Sequence, residues 1–542
     1  MRRTSRRRRG VLQLLGWILS LALGASLAFA TQAPRFLIFH VDAVAASDFD
    51  RALADGRLPN VERAFADGMR ADAVTLFFAS TPVIYPRMHS GASNSVSGRV
   101  GFGGFDRAAG RPITEAEVFL ELLEALPRRA ATNLLHGIPL LDGLAGAAMQ
   151  NLPDLLERYR VVEFFWFSTD TFGHLMGEDQ HARSLERFDA YLGRLLARLD
   201  CDDLNLILYT DHGLTFTREA VDLEAILEER VGDARRHFAY PNLYLNDPRL
   251  APALARRLTS AGGVDYAFYR VDEQRVEGFV DGAFVRFEAN AEGIRYVSTG
   301  DPLRYAASGY DGAWLTPDEW LTATIGERFP AVPPNVFGYL QNPNVGDVVM
   351  GVNPPRIPLT VRANHGNHAG LVDTDLVVPV LWRGPDLDVL ADRSELWLHE
   401  LYRDLPAIRA RVPPVRERHE FEVRLRFDDL TPAARLRVSP AYRLRLAAEL
   451  EPARWRLWSE HEVFATYLVR CWLGAGVTHE HGELQPLIRG ELEFDVGDAR
   501  LRLEGGYRPS GWEFAVGATF RVGEGVRVSW FAPGGVGLGF DW

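Results

Sequence analysis

Apolar and polar positions along the chain fall into three textures, each with its own period. In the first, continuous apolar runs at Phe36 to Val41 (FLIFHV), Val161 to Phe167 and Leu204 to Tyr209 read as strands buried on both faces. Helical patterns alternate with them, as in Ser184 to Leu199 (SLERFDAYLGRLLARL), which is the rhythm of a doubly wound, mostly parallel α/β sheet. The second texture, over 217–351, is rich in Gly, Pro and aromatic residues, with alternating runs at Val276 to Phe287 and Gly293 to Asp301. It reads as a cap inserted into an α/β domain of 31–412. Tyr305, Tyr310, Trp314 and Trp320 in this cap read as core aromatics ahead of pocket-lining ones.

The third texture begins after Pro413-Pro414. Phe421, Val423, Leu425 and Phe427 alternate with Glu422, Arg424, Arg426 and Asp428. Similar period-2 runs recur at Tyr442 to Leu450, Leu492 to Val496, Trp512 to Phe520 and Val526 to Trp530. Tight turns at Gly497-Asp498, Arg508 to Gly511 and Gly523-Glu524-Gly525 join them into an antiparallel β meander over 415–542, of roughly eight strands, that closes as a barrel. Two closures fit. Apolar side inward gives a soluble barrel or sandwich; apolar side outward gives an outer-membrane barrel filled with Arg and Glu. The terminal Val536, Leu538, Phe540, Trp542 series ends on an aromatic, as many outer-membrane barrels do, whereas the length available barely covers eight strands of the ~9 to 11 residues a bilayer requires.

Composition narrows the class. With 542 residues, 47% of them hydrophobic, the chain can bury one large core and a smaller one. A net charge of -12 argues against general nucleic-acid binding, because no broad cationic surface is left to displace counterions. All 60 basic residues are arginine, a bias that GC-rich codon usage explains. Cys201 and Cys471 stand far apart in sequence and offer no disulfide framework. Residues 1–30 read as an export signal peptide: arginines crowd Arg2 to Arg9, Val11 to Leu27 is mostly apolar, and Ala28-Phe29-Ala30 is a small-residue cleavage site. An uncleaved anchor is the alternative. Either way the protein is expected outside the cytoplasm, in the periplasm or outer membrane of a bacterial envelope.

The candidate chemistry sits where the strand runs end. Asp42, Asp170 and Asp211 come after the three apolar runs, so a parallel sheet would bring all three carboxylates to its carboxyl edge, where open α/β sheets bind ligands. Asp170-Thr-Phe-Gly-His174 puts a carboxylate and an imidazole one helical turn apart, and Asp211-His212-Gly213 supplies two more donors from one strand end. With Thr81 and His368, three Asp, three His and one hydroxyl suit a pair of divalent ions about 4 Å apart. Such a donor set favours zinc, with manganese as competitor.

In this order the motifs resemble the alkaline phosphatase superfamily, in its type I phosphodiesterase and nucleotide pyrophosphatase branch. The resemblance spans roughly residues 35 to 390 and rests on Thr81 to Gly91 (TPVIYPRMHSG), Asp170 to His174, Thr210 to Gly213 (TDHG), and His368-Ala369-Gly370-Leu371 before Val378-Pro379. It implies Thr81 as nucleophile, Asp170, His174 and His368 on one metal, and Asp42, Asp211, His212 and the Thr81 oxygen on the other. Asn364-His365-Gly366 is a competing His-Gly motif, which leaves His365 as the alternative to His368. The chain departs from the branch after the nucleophile helix, where Asn94 is the nearest candidate for holding a phosphoryl oxygen. Ser80-Thr81-Pro82-Val83-Ile84 lacks the arginine a formylglycine sulfatase requires.

Together these features read as an exported two-metal hydrolase of phosphate esters, most of all diesters and pyrophosphates, acting on a small-molecule or a lipid or glycan substrate. The C-terminal domain would associate it with the outer membrane. A phosphomonoesterase is the alternative, with Arg87 or Arg99 holding the extra charge; a non-catalytic envelope protein is the alternative from another class.

Overall fold

The computed structural model describes residues 34–541 apart from 94, 96–98, 119–141, 157–158, 200, 202, 217–218, 360–364, 369, 410–419, 427–431, 442–443, 466–468, 481, 497–498, 510, 524–525 and 533–534. The export signal and Asn94 therefore lie outside the described residues. The chain divides into two compact units: one holds Phe36–Gly146 and Glu163–Arg411, the other Val412–Trp542 with Ala147–Val162 and the amino terminus.

The larger unit is built on a six-stranded sheet. Its strands are β1 (Arg35–Val41), β2 (Met69–Val74), β3 (Val161–Trp166), β4 (Leu204–Tyr209), β5 (Val377–Arg383) and β6 (Glu395–Trp397), in the order β6-β2-β5-β4-β1-β3. β4 is buried at every position and β1 at all but its first, as a sheet covered on both faces requires. The sheet is mixed. β6 lies parallel to β2, but β5 is antiparallel to both of its neighbours, β2 and β4.

Three helices carry or flank the candidate residues: α1 (Thr81–Ser90), α2 (Ser168–Met176) and α3 (Glu178–Leu196). In α3, His181, Ser184, Leu185, Phe188, Leu192 and Leu195 form one buried stripe at helical spacing. The helix begins six residues before the apolar pattern at Ser184, because Gly177 at φ 83° breaks the chain direction between α2 and α3 and starts a new helix at once.

Within 217–351 an antiparallel seven-stranded sheet covers residues between Arg235 and Gly351. Tyr305 and Trp320 are fully buried there, the first donating to the Phe329 carbonyl at 2.6 Å and the second to the Ile294 carbonyl at 2.9 Å, so both are core residues.

The smaller unit is a closed antiparallel barrel of ten strands, two more than the turn pattern indicates. They are β7 (Glu420–Arg426), β8 (Pro432–Ala441), β9 (Leu444–Leu450), β10 (Arg454–Ala465), β11 (Val469–Glu480), β12 (Glu483–Val496), β13 (Ala499–Arg508), β14 (Gly511–Gly523), β15 (Val526–Ala532) and β16 (Gly535–Asp541), the last pairing with the first. Ser459, His461, Gly474 and Gly476 blur the alternation along β10 and β11, which is why these strands do not stand out in sequence. Of the two closures, the structure has the apolar side outward: Leu473, Ile488, Trp512 and Phe514 are exposed, while Arg437, Arg445, Glu491 and Glu504 are buried inside. No helix among the described residues is long and apolar enough to cross a membrane.

Candidate metal centre and nucleophile

Topology brings the candidate residues together. β1 delivers Asp42, and β4 delivers Asp211 and His212. β3 runs into α2, whose first turn carries Asp170 and whose next carries His174 on the same face. α1 starts at Thr81, after extended Ser80 and with Pro82 in its first turn, where a missing N–H leaves no helical bond unmade. His368 arrives differently. Because β5 is antiparallel, with Val380 opposite Tyr209 and Val377 opposite Val74, its beginning lies at the edge where β2 and β4 end. The segment before β5 is pinned there by Asp375, which accepts from the Gly370 amide at 2.6 Å and the Thr215 hydroxyl at 2.7 Å. Burial pushes the Asp375 carboxyl up to about 6. The motif glycine Gly213 is a close approach: a Cβ there would meet the Thr374 carbonyl oxygen at 1.9 Å.

The three imidazoles share one arrangement. Nδ1 of His174 donates to the Gly366 carbonyl at 2.8 Å, that of His212 to Gly213 at 3.0 Å and that of His368 to Ala79 at 2.5 Å. A carbonyl oxygen only accepts, so each ring donates from Nδ1 and turns its Nε2 into the site, where the neutral form offers a lone pair. There Nε2 of His174 lies 3.1 Å from Asp170 Oδ1, that of His368 3.9 Å from the same atom, and that of His212 3.4 Å from Asp42 Oδ1 and 3.6 Å from Asp211 Oδ2. With the imidazoles neutral, acceptor faces acceptor, an arrangement that a cation between the two would satisfy.

The carboxylates point the same way. Asp42 and Asp211 are fully buried, and both oxygens of Asp42, Oδ1 of Asp170 and Oδ2 of Asp211 receive no hydrogen bond. Burial and the charges of Asp211 and Asp170 hold the Asp42 carboxyl well above the usual range, while the Thr81 hydroxyl beside it acts in the opposite sense. Burial also raises Asp170, but His174, His368 and His212 outweigh it and bring this carboxyl to about 2. Burial and the neighbouring imidazoles of His212 and His174 push His368 well below its ordinary value, which suits a neutral ligand. Asp170, His212 and His368 offer donor atoms within 4.8 Å of one another, and so do His40, Asp42 and Asp211. The donor set therefore fits two cations, with His212 standing between the groups.

Of the sequence candidates, Asp42, Thr81, Asp170, His174, Asp211, His212 and His368 meet at this edge, and His365 is exposed. Replacing His368 by alanine should remove about one metal ion per chain, measured by mass spectrometry of metal-loaded protein, whereas His365→Ala should leave the content unchanged. Arg87 differs from its expected role: it is buried, and its guanidinium donates to the carbonyls of Val83 at 2.8 Å, Arg99 at 3.2 Å and Ser93 at 3.4 Å. It clamps the chain that comes after α1. Arg99 is half-buried and supplies one of those carbonyls.

Two further residues support the cluster. His40 Nε2 lies 3.2 Å from Asp211 Oδ1, with its ring stacked between Phe165 and Tyr209. Glu163, buried on β3, accepts from Tyr85 of α1 at 2.7 Å and from Tyr209 of β4 at 2.6 Å, tying α1 to the sheet. A polar residue inside each apolar run, FLIFHV and VVEFFW, was the available signal.

Residues 114–261, which include Asp170, His174, Asp211 and His212, match the family described as type I phosphodiesterase / nucleotide pyrophosphatase. No curated protein matches the sequence. Among solved structures, murine ectonucleotide pyrophosphatase/phosphodiesterase 5 is similar at 13% identity, with 70% of this chain and 96% of that one covered and a TM-score of 0.43. Phosphonoacetate hydrolase from Sinorhizobium meliloti 1021 is similar at 15% identity, with 70% and 96% covered and a TM-score of 0.40. Over residues 114–261, a segment that runs through the sheet edge where the candidate donors meet, the chain is similar to the type I phosphodiesterase / nucleotide pyrophosphatase family.

Proposed function

We propose that this chain is an exported hydrolase of phosphodiesters or pyrophosphates that works through a phosphothreonine on Thr81. The reading is carried by three imidazoles that turn their Nε2 atoms onto three buried carboxylates beside that hydroxyl. Two divalent cations, zinc before manganese, would be held by Asp170, His174 and His368 and by Asp42, Asp211, His212 and Thr81. When bound they would lower the pKa of the threonine hydroxyl and neutralise charge on the departing oxygen.

The Thr81 oxygen attacks phosphorus in line, the bond to the leaving oxygen breaks on the opposite side, and water then opens the phosphothreonine to restore the hydroxyl. α1 points its positive end at the phosphoryl oxygens. Arg87 favours diesters over monoesters: its guanidinium is engaged with backbone carbonyls and is not offered to a second phosphate charge. The substrate is a small-molecule, lipid or glycan phosphate ester, met in the periplasm or at the outer membrane, with which the barrel associates.

The test is kcat/KM for bis(p-nitrophenyl) phosphate against p-nitrophenyl phosphate on the zinc-loaded full chain. A diester preference of tenfold or more is expected. The reverse preference would replace the diesterase reading with a phosphomonoesterase.

A further inference from the structure

The charges of the barrel are confined to one face. Followed around the ring, cross-strand partners on the outer face are apolar: Leu457 lies opposite Val477, Ile488 opposite Tyr507 and Ala518 opposite Trp530. Among the described residues no outward strand position holds Asp, Glu or Arg, and the polar ones are Ser459, His461 and His479. A barrel surrounded by water would have the opposite pattern. Trp512 and Phe514, exposed by 68% and 72%, present two of the largest apolar side chains to the outside. Along β14 the outward residues from Trp512 to Val522 cover about 34 Å of strand. At the usual barrel tilt β14 rises about 26 Å, close to the apolar belt of outer-membrane barrels, while the seven-residue strands β7, β9, β15 and β16 rise less. The closed ring leaves no strand edge to be satisfied, which is the condition for strands to cross hydrocarbon.

The bore is occupied. Arg435 on β8 reaches Glu504 on β13 at 2.6 Å, and these strands stand five places apart in a ring of ten, on opposite walls. Arg437 on β8 pairs with Glu491 on β12, and Arg445 on β9 with Glu493 on β12 at 3.1 Å. From β13, Arg500 and Arg502 both reach Glu420 on β7 at 2.9 Å. Trp458 and Trp472 fill the space beside these pairs, with Arg489 4.7 Å over the first ring and Arg445 4.0 Å over the second. A cavity of about 390 Å³ at the end of the barrel that carries Glu451, Arg454 and Arg508 is lined by Arg435, Arg489 and Glu504, so its floor is the network itself.

We infer that the barrel spans a lipid bilayer with its bore closed by these cross-bore ion pairs, and so acts as an anchor that conducts nothing. The inference rests on the proposed membrane association and adds the insertion geometry and the sealed bore. Its occupant on the outer face is lipid acyl chain.

The experiment uses the full chain folded into dilauroylphosphatidylcholine vesicles loaded with potassium chloride. It is expected to stay with the vesicles through an alkaline carbonate wash, and the vesicles to hold their potassium as protein-free ones do. Release by carbonate would overturn membrane insertion and the inference with it. Retention together with rapid potassium efflux would overturn the sealed bore alone. Val516→Arg, outward on β14, should lower the retained fraction at least tenfold, and Glu513→Gln, on the inner face of the same strand, should not; equal effects would overturn the outward assignment. Phosphoesterase activity of the same vesicles is read separately, so an inactive enzyme is told apart from an uninserted barrel.

Discussion

Replacing Thr81 by alanine should cut hydrolysis of bis(p-nitrophenyl) phosphate by about 10,000-fold or more, since a removed nucleophile leaves only the catalysis that binding and charge provide. The substitution deletes one hydroxyl from a site of seven donors. Six remain, so zinc content should change little, and the side chain is already buried, so the shorter residue should leave the fold intact. Thr81→Ser keeps the hydroxyl at the start of α1 and should recover a measurable part of the rate. Activity of Thr81→Ala within tenfold of the parent would remove the phosphothreonine from the mechanism and leave direct attack by water on the ester.

Asp42→Asn should separate metal binding from folding. Three buried carboxylates face one another at this edge, and both oxygens of Asp42 receive no hydrogen bond. Without cations their mutual repulsion and desolvation oppose the fold. The parent should therefore gain stability when zinc is added. At free zinc 100-fold above the dissociation constant, the gain is about 2.7 kcal/mol for each site. The asparagine variant removes one buried charge, so in chelator it should melt at or above the parent, while zinc should raise its Tm much less. Calorimetry with and without chelator reads both effects. A variant that melts lower in chelator and responds to zinc as the parent does would mean that Asp42 is held by the fold for some purpose other than a cation.

Several parts of the site are legible along the chain because the chemistry is tied to strand ends. Asp42, Asp170 and Asp211 each come after an apolar run, and a strand delivers the residue after it to the edge of its sheet whatever surrounds it. His174 is reached from Asp170 by helical spacing. His368 needed the antiparallel direction of β5, since only that puts the beginning of a strand beside the ends of its neighbours. Arg87 looked like a substrate ligand because it is cationic and close to Thr81 in sequence; its guanidinium turns instead to the backbone that returns from α1. His40 and Glu163 were visible as polar residues in apolar strands, but their partners come from β4 and α1 and are set only by packing.

By itself the sequence determined the α/β rhythm, the strand-end carboxylates and the presence of a meander with two chemically different faces. Only the tertiary structure decided which of the two histidines is buried beside the strand-end carboxylates, how many strands close the barrel and which of its faces looks out. A period of two defines two faces but carries no sign for the curvature. That sign comes from closure, in which β16 pairs with β7 and the Arg and Glu side chains find partners across the bore while the apolar side chains remain outside.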